Sequence, residues 1–124
     1  MTADRQTILG TIQRYVDLVA TGTADEVVAL YADGATIEDP VGSGVLDTPA
    51  AIAEFYAAVE PLEQRSRLGE VRIAGNEAAF GFELVTQAGG RTFTLAPIDV
   101  MSFDDEGRIT SMRAYWSTED MVRS

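Results

Sequence analysis

Three side chains able to handle protons stand where the surrounding pattern is apolar. In FTLAPIDVMSF, counting by twos puts Phe93, Leu95, Pro97, Asp99, Met101 and Phe103 on one strand face, and Thr94, Ala96, Ile98, Val100 and Ser102 on the other. Asp99 thus points with the large apolar residues. An ionised carboxylate is costly to strip of water, so Asp99 must be paired, protonated or left in a wet cleft. Asp39 alternates with Ile37 and Val41 at the mouth of the loop VGSG, where a carboxylate can stay ionised and still reach a ligand. Tyr15 lies on a helical apolar stripe and its hydroxyl needs a buried partner. Each also has a plain structural reading: Tyr15 as a core aromatic, Asp39 as a turn initiator before Pro40, and Asp99 paired with a cross-strand arginine such as Arg72 or Arg113.

The absences narrow the chemistry further. The chain has no His and no Cys, and all nine of its basic residues are Arg. Thiolate nucleophiles, Ser-His triads, Schiff-base lysines, disulfides and the usual His/Cys zinc sites are excluded. No dinucleotide or P-loop glycine string is present. Any proton-handling group must be a carboxylate or a tyrosine, and no dense acidic loop suggests an oxygen-ligated metal. A net charge of −11 disfavours nucleic acid and anionic membranes as partners. The polar start MTADRQ and the shortness of every apolar run point to a cytoplasmic protein.

These residues must be positioned by one domain, residues 1–124, of class α+β. Ile8, Ile12, Tyr15 and Val19 predict a first helix ending near Gly22. Thr23 and Glu26 form a capping-box signature for a short second helix through Leu30 and Tyr31, and ATIE, Ala35 to Glu38, reads as a strand. Thr48 and Pro49 open a third helix carrying Ile52, Phe55, Tyr56 and Val59. Strands are expected at Leu68 to Ala74, Glu77 to Gln87, Arg91 to Phe103 and Arg108 to Trp116, the last with Met112 and Trp116 on one face. A curved sheet around the helices leaves a concave pocket and an uncovered convex face, so a homodimer is expected.

Several segments together resemble the bacterial ketosteroid isomerases (steroid Δ5-isomerases): RYVDLVATG around Tyr15, LYADGATIEDPVG from Leu30 to Gly42, AAIAEFY ending at Tyr56, APIDVMSFDDEGRI from Ala96 to Ile109, and MRAYWS from Met112 to Ser117. The resemblance runs over nearly the whole chain. It implies an NTF2-like cone of three N-terminal helices packed in a curved, mixed, mostly antiparallel sheet. By matching motif, Asp39 corresponds to the family's general base, and Tyr15 and Asp99 to its two oxyanion-hole donors. Trp116, Met112 and Phe82 correspond to apolar substrate-binding positions, and Tyr31 and Tyr56 to tyrosines that extend a hydrogen-bond chain behind the oxyanion tyrosine. The family's substrate is a 3-oxo-Δ5-steroid, whose double bond moves into conjugation through a dienolate without cofactor or metal. Keeping an acid neutral by burial so that it can donate is a device known from this family.

Other NTF2-like activities compete with this reading: epoxide hydrolase, polyketide cyclase, or non-catalytic binding of a steroid-like ligand. An epoxide hydrolase would want a carboxylate, an arginine and a water-orienting amide together. The amides Gln6, Gln13, Gln64, Asn76 and Gln87 all fall outside the segments expected to line the pocket.

Overall fold

Asp4 opens the first helix, α1 (Arg5–Thr21), by accepting from the Thr7 amide at 2.7 Å, and Ile8, Ile12, Tyr15 and Val16 form its buried stripe. The computed structural model describes residues 2–124. Thr23 and Glu26 close a reciprocal capping box on α2 (Ala24–Val28). The carboxylate of Glu60 ties the two remaining helices together by accepting from the Ala24 amide at 2.6 Å. In α3 (Pro49–Val59) Thr48 caps the Ala51 amide and Pro49 takes the first turn, where no intrahelical donor is needed.

Seven strands follow or interleave: β1 (Tyr31–Glu38), β2 (Glu63–Ala74), β3 (Glu77–Ala88), β4 (Arg91–Leu95), β5 (Ile98–Phe103), β6 (Ile109–Tyr115) and β7 (Val122–Arg123). They form one sheet in the order β1-β6-β5-β3-β4-β7, with β2 on the free side of β3. Only β1 and β6 run parallel, so the sheet is mixed but mostly antiparallel. A bulge in β2 between Leu68 and Val71 bends the sheet, and there Gly69 approaches so closely that a Cβ would lie 3.0 Å from the Gly81 carbonyl oxygen. The sheet thus curls around the helices. Ile8, Ile12 and Val16 from α1 meet Ile37, Phe80, Met101, Ile109 and Met112 in a core sealed from water. Each large side chain there contributes roughly 1.5–3 kcal/mol by burial.

The α+β class, the three helices and the capping signals are found as expected. Four details differ. Tyr31 is not in the second helix but opens β1, because α2 stops at Val28 and the chain turns there. β2 starts at Glu63, five residues before the expected Leu68; EQRSR carries no apolar alternation, yet Gln64, Ser66 and Leu68 still face inward. The expected strand from Arg91 to Phe103 is two strands, since Ala96 and Pro97 interrupt the ladder; Pro97 has no amide hydrogen to donate. The parity of the faces survives the break, with Leu95, Pro97, Asp99, Met101 and Phe103 all buried. The last main strand ends at Tyr115, and the two-residue β7 beyond it pairs with β4. Among the described residues no helix is long and apolar enough to cross a membrane.

Candidate active site

Between the helices and the inner face of β2 and β3 lies a small cavity that opens to solvent. Its walls come from four elements and one strand end: Tyr15 and Val19 on α1, Phe55, Tyr56 and Val59 on α3, Gln64 on β2, Phe82 and Leu84 on β3, and Asp39 just past β1. The wall is mostly apolar with a few polar atoms, the usual build of a small-molecule site. The Tyr15 ring meets Phe82 and Tyr56 edge-on, at centroid separations of 6.5 and 6.4 Å, so its position is fixed by packing.

The tyrosine hydroxyls form a chain. Tyr15 and Tyr56 are 3.1 Å apart, oxygen to oxygen, and Tyr56 and Tyr31 2.6 Å. Burial pushes all three phenols well above their ordinary value, and the neighbouring acids add to the effect at Tyr15. They are therefore neutral hydroxyls at any moderate pH. If Tyr15 donates into the cavity, Tyr56 donates to Tyr15 and Tyr31 to Tyr56, a single direction along the chain.

Asp39 is held at the cavity rim from both sides. On one, Glu38 accepts from the Gly42 amide at 3.0 Å and pairs with Arg113 at 3.6 Å. On the other, the Val41 amide donates to the Ala114 carbonyl at 2.8 Å, which stitches the loop to β6. The half-buried Asp39 carboxylate accepts from the Trp116 indole N–H at 2.7 Å. Partial burial raises its pKa and the indole bond pulls the other way, so the carboxylate keeps a dedicated donor while remaining a base.

Asp99 has the opposite surroundings. It is 1 % exposed, the sole charged or polar residue in the buried set among the described residues, and neither carboxyl oxygen has a hydrogen-bond partner. It sits opposite Phe80 on β3 and Ala114 on β6. Neither expected arginine reaches it: Arg72 bonds to Glu70, and Arg113 to Glu38 with its guanidinium over the Tyr115 ring. The ion-pair reading of Asp99 is overturned. Burial, and after it the charge of Asp39, pushes its pKa well above the carboxylate range, so it carries its proton.

The fold brings Tyr15, Asp39, Tyr56 and Phe82 to one cavity, with Tyr31 behind them, while Asp99 is buried on β5 and is not among the residues that line it. It does not bring Met112 there: that side chain is fully buried in the core, level with Ile37 and Met101. Trp116, expected as an apolar wall, supplies a polar contact to Asp39 instead. Gln64, expected outside the pocket, lines it. Its inward alternation with Leu68 was available in the sequence once the strand was begun at Glu63. Among the described residues no group of three or more His, Cys, Asp or Glu could hold a metal ion.

Comparisons with known proteins agree with this architecture. Residues 12–112 match the SnoaL-like domain. A steroid Delta-isomerase from Nocardioides simplex is 47% identical over 111 residues, 90% of each chain. Among solved structures, the epoxide hydrolase/cyclase-like enzyme SalBIII of polyether salinomycin pyran-ring formation superposes with a TM-score of 0.87 at 27% identity, covering 95% of this chain and 96% of that one. A Delta 5-3-ketosteroid isomerase from Mycobacterium sp. superposes with a TM-score of 0.84 at 26% identity, over 95% and 98% of the two chains.

Proposed function

The chain belongs to the SnoaL-like, NTF2-like family and is 47% identical to a steroid Delta-isomerase, and on that footing we propose that it is itself a cofactor-independent steroid Δ-isomerase acting on a 3-oxo-Δ5-steroid. The observation that carries the proposal is the contrast between its two acids: Asp39 at the rim with an indole donor, Asp99 enclosed without any partner. One is suited to take a proton and the other to donate a hydrogen bond.

In the reaction, the Asp39 carboxylate removes a proton from the carbon between the carbonyl and the alkene. The C–H electron pair moves into the ring and the carbonyl oxygen gains the negative charge, giving a dienolate. Tyr15 and protonated Asp99 donate to that oxygen, where donors already in place need no reorganisation as charge develops. Tyr56 and Tyr31 strengthen Tyr15 as a donor by donating along the hydroxyl chain. Asp39 then returns the same proton two carbons away, the alkene comes into conjugation, and the carboxylate is regenerated.

An ultraviolet assay for conjugated enone from 5-androstene-3,17-dione tests this, with Asp39→Asn expected to lose roughly 10²- to 10⁴-fold in rate, the span of a positioned general base. No enone from the wild type, or an unimpaired Asp39→Asn, would reject it. Gln64 in the cavity and the likeness to an epoxide hydrolase/cyclase-like enzyme favour a second reading, epoxide hydrolysis, but no arginine lines the cavity. Diol from an epoxide substrate in place of enone would select that reading. The outer sheet face bears the exposed cross-strand pair Ile98 and Tyr115, which supports a homodimer through this face; a monomer in sedimentation at micromolar concentration would contradict it.

A further inference from the structure

Acidic residues outnumber arginines twenty to nine in this chain, so an arginine without a carboxylate partner runs against the composition. Arg91 and Arg123 are two such residues. Both are exposed, and among the described residues neither side chain makes an ion pair or a hydrogen bond. Strand register puts them on the face of the sheet that lines the cavity. Gln64, a wall residue, lies opposite Thr86, Thr86 opposite Phe93, and Phe93 opposite Arg123, a row that crosses β2, β3, β4 and β7. Directly opposed residues of an antiparallel ladder share a face. Arg91, two positions before Phe93, has the same parity and is a diagonal neighbour of Arg123, with Cα atoms about 7–8 Å apart. Two like charges at that spacing repel, and an anion between them relieves the repulsion.

This cationic row stands at the far end from the reacting groups. Phe82 packs edge-on against Tyr15, and Asp39 is tied to the same end, since its neighbour Val41 bonds to Ala114, which lies opposite Asp99. Thr86 is four residues beyond Phe82 on one face of β3, about 13 Å of extended chain, with the apolar pair Leu84 and Leu95 between. The concave face thus has a carboxylate at one end, guanidiniums at the other and aliphatic wall in the middle. A rigid fused-ring molecule bearing an anion at one end is drawn in with its uncharged end toward Asp39.

From this placement we infer that the preferred substrate is a 3-oxo-Δ5-steroid carrying a carboxylate at its ring-D end, with Arg91 and Arg123 as the specificity-determining residues that receive it. The planar guanidinium fork matches a carboxylate, and its long stem lets it follow the tail at the cavity mouth. The inference rests on the proposed isomerase reading for the position of the ketone.

The test compares turnover of 3-oxo-5-androstene-17β-carboxylic acid with that of its uncharged methyl ester. In the wild type the acid is expected to be favoured about three- to tenfold in kcat/KM, between the worth of an exposed ion pair and that of a charged hydrogen bond, and the ratio should shrink as salt is raised. The double variant Arg91→Gln/Arg123→Gln should bring the ratio to one or below, and Arg91→Lys/Arg123→Lys should restore most of it. Arg5→Gln removes a charge from the start of α1, about 15 Å of helix before Tyr15, and should leave the ratio as in the wild type. No preference for the acid in the wild type, an unchanged ratio in the double glutamine variant, or an equal fall in Arg5→Gln overturns the inference. If the wild type converts neither compound, the isomerase reading fails, and the relative binding of the two corresponding 4-ene compounds, read by quenching of Trp116 fluorescence, decides the role of the arginines in the same variants.

Discussion

A carboxyl group that keeps its proton only because it is buried must make stability depend on pH. In the unfolded chain Asp99 ionises near the ordinary carboxylate value; in the folded protein it holds its proton well above that value. Between the two, the folded state binds one proton more than the unfolded state, so folding loses about 1.4 kcal/mol for each pH unit as pH rises. Asp99→Asn removes this dependence, because an amide of nearly the same shape does not titrate. The difference in unfolding free energy, variant minus wild type, should therefore climb by about 1.4 kcal/mol per unit from about pH 4.5 upward and level off where the folded Asp99 ionises. Over two pH units that is roughly 3 kcal/mol, on the order of 1–2 M in the urea midpoint. Urea titrations of both proteins at equal concentration, across about pH 4.5 to 7, read this directly. Such a size is reached because neither carboxyl oxygen has a partner and both nearby arginines are engaged elsewhere. A difference that stays flat across the range would mean that Asp99 ionises normally when folded, and its assignment as a neutral donor would be withdrawn.

Two further outcomes test the frame around the acids. Trp116→Phe deletes the indole donor that opposes the burial of Asp39. The pKa of Asp39 then rises, and the acid limb of the kcat/KM profile should move to higher pH; a limb that stays put would separate the indole from the base. Gly107→Ala forces a side chain onto a residue with φ of +82°, its Cβ 2.5 Å from Thr7 Cγ2 on α1. The turn between β5 and β6 is strained and the helix displaced, with a loss of about 2 kcal/mol expected in thermal unfolding and little change in KM. An unaltered melting temperature would show that this contact yields easily.

Much of this was legible because local periodicity reports burial. The alternation through Asp99 marked it as an inward acid in a face of large apolar residues, and the break at Pro97 did not disturb that parity. Tyr15 on the stripe of α1 and the capping signals at Thr23 and Thr48 were readable for the same reason. Polar inward residues carry no such mark. EQRSR looks like a loop, which hid the start of β2 and with it Gln64; Met112 alternates like a wall residue, yet it lies fully buried in the core level with Ile37 and Met101.

The chain by itself determined which chemistry was open, since without His, Cys or Lys only carboxylates and phenols remain, and it determined which faces point inward, because strand and helix periods follow from backbone geometry. It did not determine who meets whom. The bond from Trp116 to Asp39 spans 77 positions, and that between Tyr15 and Tyr56 spans 41. Those pairings exist only because β1 lies parallel to β6 and α1 and α3 share one curved sheet. Whether a buried acid is paired or left alone depends on where every arginine finally settles, and that is a property of the closed structure.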